Sequence, residues 1–348
     1  LCMGNYYFVN IKTGCQTTRR HAMPILMKAI YALPERWCRS KMEENVAFEK
    51  VVGFVGLGGM GSGLVKNMLL KGITVHVLDL DLEKVKLAES RGAIVASSVR
   101  DMARSCDVLA FCIGKAEDVQ KLTIDSETGC LQDMKPGQIL LDHTTTSPDH
   151  VDLMSKACEK AGIRYCEAPM TRTPIHAEQG CVNVLYGGDT VLLEDLRPLF
   201  DTYAENIFHV GPSGHAIRLK LIHNFIAFAN VATFCEGFAL AAKEGLDMTK
   251  VIDIISAAGG KSGMMDLYGR KTLERDFTPH MALEWAEKDV GYYVRWLEKA
   301  GLPGFLASSV HQTYSLASIM GFGQEGCTAV IKAYEQLSGV EASFPKEK

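Results

Sequence analysis

The chain has 348 residues, enough for two compact domains. Hydrophobic residues make up 47% and charged residues 22%, fractions that are typical of globular proteins and argue against a largely disordered chain. The net charge of −4 at pH 7 provides no basic field that would hold nucleic acid.

Two further classes of protein are disfavoured. No uninterrupted apolar stretch reaches the ~18 residues of a membrane span, since the best candidate, residues 225–242, contains Asn230 and Glu236. The 11 cysteines are scattered without a CxxC pair, which argues against a disulfide framework or a metal site. Free thiols favour a reducing compartment, so we expect a cytoplasmic protein that binds neither membrane nor nucleic acid.

Residues 1–49 are interpreted as an N-terminal extension outside the folded domains. Its first 34 residues contain no Asp or Glu but do contain the basic residues Lys12, Arg19, Arg20 and Lys28. An acid-poor, basic start is typical of an organellar transit peptide. The alternative, which we favour, is non-native upstream sequence, with a natural start near Met42.

From residue 51 onward, short apolar runs alternate with helical patterns. Strands are predicted at residues 51–55, 74–78, 108–113 and 138–141, and helices over residues 64–70 and 81–89. This alternation predicts a parallel sheet with helices on both faces.

A glycine-rich turn joins the first strand to the first helix. It reads Gly56-Leu57-Gly58-Gly59-Met60-Gly61, the GxGxxG pattern of dinucleotide-binding folds. Gly56 permits a tight turn, Gly58 lets the backbone approach a pyrophosphate, and Gly61 lets helix and strand pack closely. Residues 50–212 are therefore predicted to form a Rossmann-type NAD-binding domain.

Asp79 ends the second predicted strand and bears on the choice of cofactor. A carboxylate there can accept hydrogen bonds from both ribose hydroxyls of the adenosine and would repel a 2′-phosphate. Leu80 follows, where an arginine would suit NADP. This favours NAD over NADP. The alternative is that Asp79 or Asp81 caps the next helix, a role that suits Asp81 better.

Residues 213–348 are predicted to form an all-α domain. A helical pattern runs from His215 to about Lys243, which at 1.5 Å per residue spans ~44 Å and would join the two domains. Further helices are predicted over residues 249–258, 281–300 and 305–320. Strand alternation does not recur.

Lys220 and Asn224 are four residues apart on the long helix and share an apolar face. Buried there, a lysine has a lowered pKa and can transfer a proton near neutral pH. The alternative is a lysine whose stem lies along the helix while its ammonium group reaches solvent. Spacing alone does not decide between them. His223 is interpreted as a helix-packing residue, because it points about 100° away from Asn224.

Four ordered motifs resemble the β-hydroxyacid dehydrogenases, the group of 3-hydroxyisobutyrate dehydrogenase and tartronate semialdehyde reductase. They are residues 53–61, residues 142–148 (D-H-T-T-T-S-P), residues 211–224 and residues 288–290 (K-D-V). The resemblance covers roughly residues 51–335. It implies hydride transfer between a nicotinamide and a short 3-hydroxy acid or semialdehyde. It also implies a homodimer or homotetramer.

The resemblance implies roles for individual residues. Lys220 would be the general acid and base, and Asn224 would orient the substrate. Thr145 would touch both nicotinamide and substrate, and Lys288 would lie near the nicotinamide. The remaining implied contacts are Cys112, Ile113 and Gly114 at the cofactor, with Gly59 and Met60 of the turn, and Thr144 at the substrate.

The chain departs from the family in the loop that binds the substrate's acid group. Where the family usually has Ser-Gly-Gly, this chain has Thr171-Arg172-Thr173. The guanidinium of Arg172 could clamp an acid group with two parallel hydrogen bonds. The alternative is a surface arginine that pairs with Glu178 or solvent. Sulfolactaldehyde reductases of this family have a similar Gly-Arg-Thr, but their sulfonate contacts fall on His223 and Ala227 here.

Other activities stay open beside the leading hypothesis. They are a sulfolactaldehyde reductase, a succinic semialdehyde or glyoxylate reductase, which would favour NADPH, and an imine reductase, a branch that usually lacks the lysine retained at Lys220. A different class of protein, a non-catalytic dinucleotide-binding module, would be expected to have lost Lys220, Asn224 or Lys288, and all three are present.

Overall fold

The structure is a computed structural model that describes residues 48–345. The predictions for residues 1–47 lie outside the described residues. The strands of the described part, in chain order, are β1 Val52–Val55, β2 Val75–Leu78, β3 Ile94–Val95, β4 Val108–Phe111, β5 Ile139–Asp142, β6 Arg164–Glu167, β7 Met170–Thr171, β8 Val182–Gly187 and β9 Ala204–Gly211.

The helices of the described part follow the same order. They are α1 Gly61–Leu70, α2 Leu82–Ser90, α3 Val99–Ser105, α4 Ala116–Ile124, α5 Pro148–Ala161, α6 Pro174–Glu178, α7 Thr190–Phe200, α8 His215–Lys243, α9 Met248–Ala257, α10 Arg270–Leu273, α11 Leu283–Lys299, α12 Phe305–Ala317 and α13 Ile331–Ser338. Short 3₁₀ turns lie at Leu131–Asp133 and Cys327–Val330, and π turns at Met265–Gly269 and Ser318–Phe322.

The strands form one sheet in the order β3-β2-β1-β4-β5-β6-β8-β7, with β9 beside β8. The strands from β3 to β6 are parallel, as the sequence predicts. β8 runs antiparallel to both β6 and β7. The sheet is therefore mixed at one edge, a feature that the alternation of strands and helices does not reveal.

Buried side chains on successive strand positions enter two separate cores. Phe54 belongs to the core on one face of the sheet, and Val55 belongs to the core on the other face. Strands covered on both faces need continuous apolar runs, which is why the parallel strands are recognisable in the sequence. This arrangement confirms the predicted Rossmann-type sheet covered on both faces.

The long helix α8 spans His215–Lys243, the bounds that the sequence predicts. Near its start it contacts β8 and β9, and further along it packs against α11, α12 and α13. Among the described residues it is the one helix long and apolar enough to cross a membrane. That is weak evidence for a span, because more than half of its most apolar window is buried within the protein.

The helices after α8 share a third core, which includes Phe228, Phe238, Leu283, Val290 and Tyr314. No strand occurs in the described residues beyond β9, in agreement with the predicted all-α region. The eight cysteines in the described part of the chain are free thiols. In that same part, no group of three or more His, Cys, Asp or Glu side chains could hold a metal ion.

Candidate active site

The glycine-rich turn between β1 and α1 has the shape that its sequence predicts. Gly56 has φ +101°, a left-handed conformation that favours glycine. A Cβ at Gly61 would collide with the carbonyl oxygen of Gly56, so these two elements can pack only with glycine there. A Cβ at Gly58 would meet no atom within 4 Å, and no side chain caps the start of α1. The turn leaves room for a phosphate beside the helix N-terminus.

Asp79 connects the end of β2 to this turn. Its carboxylate accepts hydrogen bonds from the backbone N–H of Leu57 and, at 2.8 Å, from that of Asp81. Asp81 itself caps α2 by accepting from the N–H groups of Glu83 and Lys84, as predicted. Asp79 is therefore held at the mouth of the turn, where a ribose contact stays a prediction. Gly59 and Met60, the other predicted cofactor residues of the turn, are exposed and partly exposed.

The ends of β4 and β5 meet beside the turn. The Ile113 N–H donates to the Thr144 hydroxyl over 3.2 Å, and the Thr144 N–H donates to Asp142 over 2.9 Å. Thr145 is more exposed than the buried Thr144. Burial raises the pKa of the Cys112 thiol to about 12, so the thiol is uncharged at neutral pH. The structure thus brings together the predicted cofactor and substrate residues of these two strand ends.

Residues of helix α11 contact the same strand ends. A Cβ at Gly114 would lie 2.7 Å from the Trp285 ring, so the indole packs directly against the end of β4. Lys288 on α11 donates from Nζ to the Thr145 carbonyl oxygen over 2.8 Å. The sequence motif at residues 288–290 and the threonine-rich motif therefore form one site.

Lys220 is buried with 9% of its surface exposed, which excludes the alternative of an ammonium group in open solvent. Burial lowers its pKa to about 8, although the Asp289 carboxylate raises it; the Lys288 ammonium lowers it further. A side chain with that pKa can give or take a proton near neutral pH. The geometry therefore supports the predicted acid–base chemistry.

Asn224 and Asp289 connect α8 to α11. The Asn224 amide nitrogen donates to an Asp289 carboxylate oxygen over 2.7 Å, and the other oxygen lies 3.1 Å from Lys288 Nζ. Asp289 is 1% exposed, so these partners offset the cost of burying its charge. Reasoning from the sequence used Lys288 of the K-D-V motif and missed Asp289, although an acidic residue beside a lysine predicted to be in the site was a visible signal.

His223 is exposed rather than buried against a neighbouring helix, which contradicts the helix-packing interpretation. Its exposed ring approaches the Asn224 side chain, with 2.9 Å between Nδ1 and the amide oxygen. Partial burial and the Lys220 charge lower the His223 pKa, so the ring is neutral at pH 7 and can donate this hydrogen bond. The prediction failed because an imidazole is long enough to fold back over its neighbour.

The structure does not place Arg172 as an anion clamp. Its guanidinium pairs with Glu205 on β9 and donates to the Cys181 carbonyl oxygen over 2.5 Å. The predicted alternative, a pair with Glu178, is not formed, because Glu178 pairs with Lys66. The sequence did not reveal Glu205 as the partner, because it lies on β9, which is separated from β7 in the sheet by β8. Substrate binding by Arg172 would require the pair with Glu205 to open.

The two threonines beside Arg172 also bond within the protein. The Thr171 hydroxyl accepts from the Asn183 amide over 3.1 Å, and the Thr173 hydroxyl lies 2.8 Å from His176 Nδ1. Pro174 lies against the glycine-rich turn, 3.1 Å from where a Cβ on Gly59 would stand. The segment is therefore beside the cofactor turn, while a substrate contact by either threonine stays a prediction.

Comparison with known proteins agrees with this arrangement. Residues 51–211 match the family described as the NAD binding domain of 6-phosphogluconate dehydrogenase. Residues 214–334 match the family described as the NAD-binding of NADP-dependent 3-hydroxyisobutyrate dehydrogenase. A probable 3-hydroxyisobutyrate dehydrogenase-like 1, mitochondrial, of Arabidopsis thaliana is 30% identical over 83% of this chain and 86% of that protein. The chain belongs to the β-hydroxyacid dehydrogenase family.

Three further proteins are similar to this chain. The 2-(hydroxymethyl)glutarate dehydrogenase of Eubacterium barkeri is 28% identical over 84% of this chain and 97% of that protein. The cytokine-like nuclear factor N-PAC of Gallus gallus is 28% identical over 82% of this chain but 52% of its own length. A crystal structure of 3-hydroxyisobutyrate dehydrogenase from Salmonella typhimurium superposes with a TM-score of 0.74, at 28% identity over 81% of this chain and 99% of that one.

As a β-hydroxyacid dehydrogenase, the protein is an oxidoreductase with an NAD(P)-binding Rossmann domain and a helical C-terminal part. The two family matches meet at residues 212–213, immediately before α8. The helix that carries Lys220 and Asn224 therefore begins where the second match begins.

Proposed function

We propose that the protein transfers a hydride between NAD and a short 3-hydroxy acid or its semialdehyde, with Lys220 as general acid and base. The observation that carries the proposal is the buried Lys220, one helical turn before Asn224, in a network that reaches the strand end at Thr145 through Asp289 and Lys288. A structural lysine would not need this combination of burial, lowered pKa and polar neighbours.

The residues at the strand ends fit a dinucleotide. Gly58 faces open space, the α1 N-terminus has no side-chain cap, and Asp79 stands beside the turn. We propose NAD rather than NADP because the Asp79 carboxylate would repel a 2′-phosphate. When bound, the nicotinamide supplies the hydride chemistry, while the protein supplies orientation and charge.

The charge balance of the site favours an acidic substrate. Lys220 and Lys288 bring two ammonium groups near one carboxylate, that of Asp289. With Lys220 protonated, one positive charge is left without a partner among these three residues. An acid group on the substrate would complete the balance, and this argument does not depend on Arg172.

Lys220 and Asn224 have separable tasks in this proposal. In reduction, the Lys220 ammonium donates a proton to the forming alkoxide oxygen; in oxidation, the neutral amine removes the hydroxyl proton. The Asn224 amide nitrogen is held by Asp289, and its amide oxygen, which lies beside His223, would orient the substrate. Thr144 and Thr145 line the strand end opposite.

The test is NADH consumption with methylmalonate semialdehyde, tartronate semialdehyde, succinic semialdehyde and sulfolactaldehyde as substrates. We expect turnover of at least one aldehyde and a loss of about 10²- to 10⁴-fold in the Lys220→Ala variant. Lys243→Ala, an exposed lysine on the same helix, is the matched control and should keep full activity. Turnover that survives in Lys220→Ala would contradict the assignment of the acid.

A second candidate function is a dinucleotide-binding module without catalysis, since one relative at 28% identity is named a nuclear factor. It predicts NADH binding by the wild-type protein without turnover of any aldehyde. The intact set of Lys220, Asn224 and Lys288 favours the enzyme. We further propose a cytoplasmic homo-oligomer, and the eight free thiols of the described residues support a reducing location.

A further inference from the structure

Glu167, the last residue of β6, is a buried carboxylate that the proposed chemistry does not use. It is 1% exposed. One oxygen accepts from the Gly214 N–H over 2.5 Å and from the Ala216 N–H over 3.3 Å. The other oxygen accepts from the Ser213 hydroxyl over 3.1 Å. All three donors belong to the first residues of α8 or the turn before it.

Residues of the neighbouring strands also constrain the position of Glu167. Its carboxylate fills the space that a side chain at Gly187 on β8 would occupy. In the sheet it pairs in register with Asp142, the residue that precedes the threonine-rich strand end. A carboxylate at a helix N-terminus is favourable, because unpaired N–H groups and the positive end of the helix dipole meet it there.

The contacts of Glu167 lead directly to the site. Ala216, Lys220 and Asn224 are spaced four residues apart, so they lie along one face of α8. The side chain that receives the Ala216 N–H thus holds the helix one turn before the proton-transferring lysine. Within the described residues, α8 is also connected to the site through Asn224 and Asp289.

We propose that Glu167 is a positioning residue, which anchors the start of α8 to the sheet and so sets where Lys220 and Asn224 stand relative to the cofactor turn. This inference rests on the proposed function. Glu167 would act only through the helix, because its bonds go to residues 213–216.

The charge of Glu167 is the property to vary. Burial raises its pKa to about 7, and the hydrogen bonds from Gly214, Ser213 and Ala216 lower it. The carboxyl therefore gains its charge as the pH rises through neutrality. The elements packed around it also carry charged or titratable groups. These include Asp142 on β5, Arg164, Tyr165 and Cys166 on β6, Tyr186 on β8, Glu205 and His209 on β9, and His215, Arg218, Lys220 and His223 on α8.

The test compares Glu167→Gln with Asp189→Asn, which removes the charge from the carboxylate that caps α7 in the same sheet domain. Kinetics use NADH with whichever of the four aldehydes the wild-type protein reduces. We expect Glu167→Gln to lower kcat about tenfold or more, with the Kd for NADH within about twofold of wild type. Its kcat should also lose the component that titrates near pH 7. Asp189→Asn should leave these quantities unchanged.

A second readout does not require turnover. Acetylation of Lys220 by acetic anhydride, measured by mass spectrometry against the exposed Lys250, reports how well the helix start is held. We expect several-fold faster labelling of Lys220 in Glu167→Gln and no change in Asp189→Asn. Labelling that changes in a protein that reduces no aldehyde supports the positioning and refutes the proposed function. Unchanged labelling, or a fall in kcat matched by equal loss of folded protein, overturns the inference.

Discussion

The ammonium group of Lys220 experiences two opposing influences. Burial lowers its pKa most and the Lys288 ammonium lowers it further, whereas the Asp289 carboxylate raises it. The net result is a pKa of about 8. An ordinary lysine, with a pKa of about 10.4, stays charged throughout the usual range of assay pH. Lys220 changes charge within that range, so its protonation state should control the rate in both directions of the reaction.

The pH dependence of the two directions should therefore be opposite. Reduction needs the ammonium form, so kcat/KM for an aldehyde should fall as the pH rises above about 8. Oxidation of the corresponding 3-hydroxy acid needs the amine, so its kcat/KM should rise up to about pH 8 and then level off. Measurement of both profiles tests this, with Lys220→Arg as a variant that keeps the charge but releases no proton. Parallel profiles in the two directions would refute the assignment.

Asp79 offers a separate test of the cofactor. We expect Asp79→Ala to narrow the preference for NADH over NADPH, because the carboxylate that repels a 2′-phosphate is gone. Asp79 also accepts hydrogen bonds from the N–H groups of Leu57 and Asp81. The substitution can therefore disturb the turn as well as the selectivity between NADH and NADPH, and a control must separate the two effects. Asp81→Ala is the control: it should lower the midpoint of thermal unfolding slightly through the lost helix cap and leave the selectivity between NADH and NADPH unchanged. An unaltered preference for NADH over NADPH in Asp79→Ala would refute the proposed contact between Asp79 and the adenosine ribose.

At the scale of elements, the sequence predicts the parallel strands and the long helix well. β1, β2, β4 and β5 lie within two residues of the predicted bounds, because strands buried on both faces need apolar runs. The mixed edge of the sheet was not predicted, where β8 runs antiparallel to β6 and β7 but parallel to β9. β9 has one buried residue, Ala204, followed by partly or fully exposed positions, and β7 has two residues, so neither shows the apolar run on which the prediction depended.

The candidate site was predictable where spacing along one element defines it. Lys220 and Asn224 are recognisable because a helix places residues four apart on one face. Asp289 and Glu205 lie on other elements, and their partners depend on how those elements pack, which one sequence does not reveal. His223 was misjudged for a different reason, since the direction of its Cβ did not show where the ring would reach.

Arg172 lies in the turn between β7 and α6, and its substitution tests whether it binds the substrate. Arg172 has φ +78°, and its guanidinium is engaged with Glu205 and Cys181. We therefore expect Arg172→Ala to change the KM for the acidic aldehyde by no more than about twofold, and to reduce the free energy of unfolding by about 1 kcal/mol through the lost ion pair. Steady-state kinetics and urea unfolding check both. A large rise in KM with unchanged NADH affinity would show instead that the guanidinium clamps the substrate.

At the scale of the whole molecule, the site depends on both halves of the protein. The sheet supplies the glycine-rich turn and the two strand ends, whereas α8 and α11 supply Lys220, the proposed general acid and base, and its polar neighbours. Polar contacts that join these parts include Lys288 to Thr145, Glu167 to the start of α8, Tyr292 to Ala116 and Lys299 to Asp149. The first two lie beside the candidate site. A change at either contact can therefore alter the chemistry without disturbing the core of either half.

A stripe of exposed apolar side chains on α8 is a candidate surface for contact between copies of the chain. Leu219, Ile222 and Ile226 are 41%, 36% and 54% exposed, and their spacing of three and four residues puts them on one side of the helix. Clustered apolar surface in water is unfavourable and often marks an interface. The stripe agrees with the homodimer or homotetramer that the family resemblance implies.

We expect the wild-type protein in solution to have two or four times the chain mass of 38.2 kDa. Ile226→Glu should shift it toward the monomer, because an unpaired carboxylate buried in an apolar interface is strongly unfavourable. Val191→Glu, a similarly exposed apolar position on α7, is the matched control and should keep the wild-type mass. Light scattering across a dilution series measures all three proteins. A wild-type monomer would contradict the oligomer, whereas an oligomer unaffected by Ile226→Glu would place its interface away from this stripe.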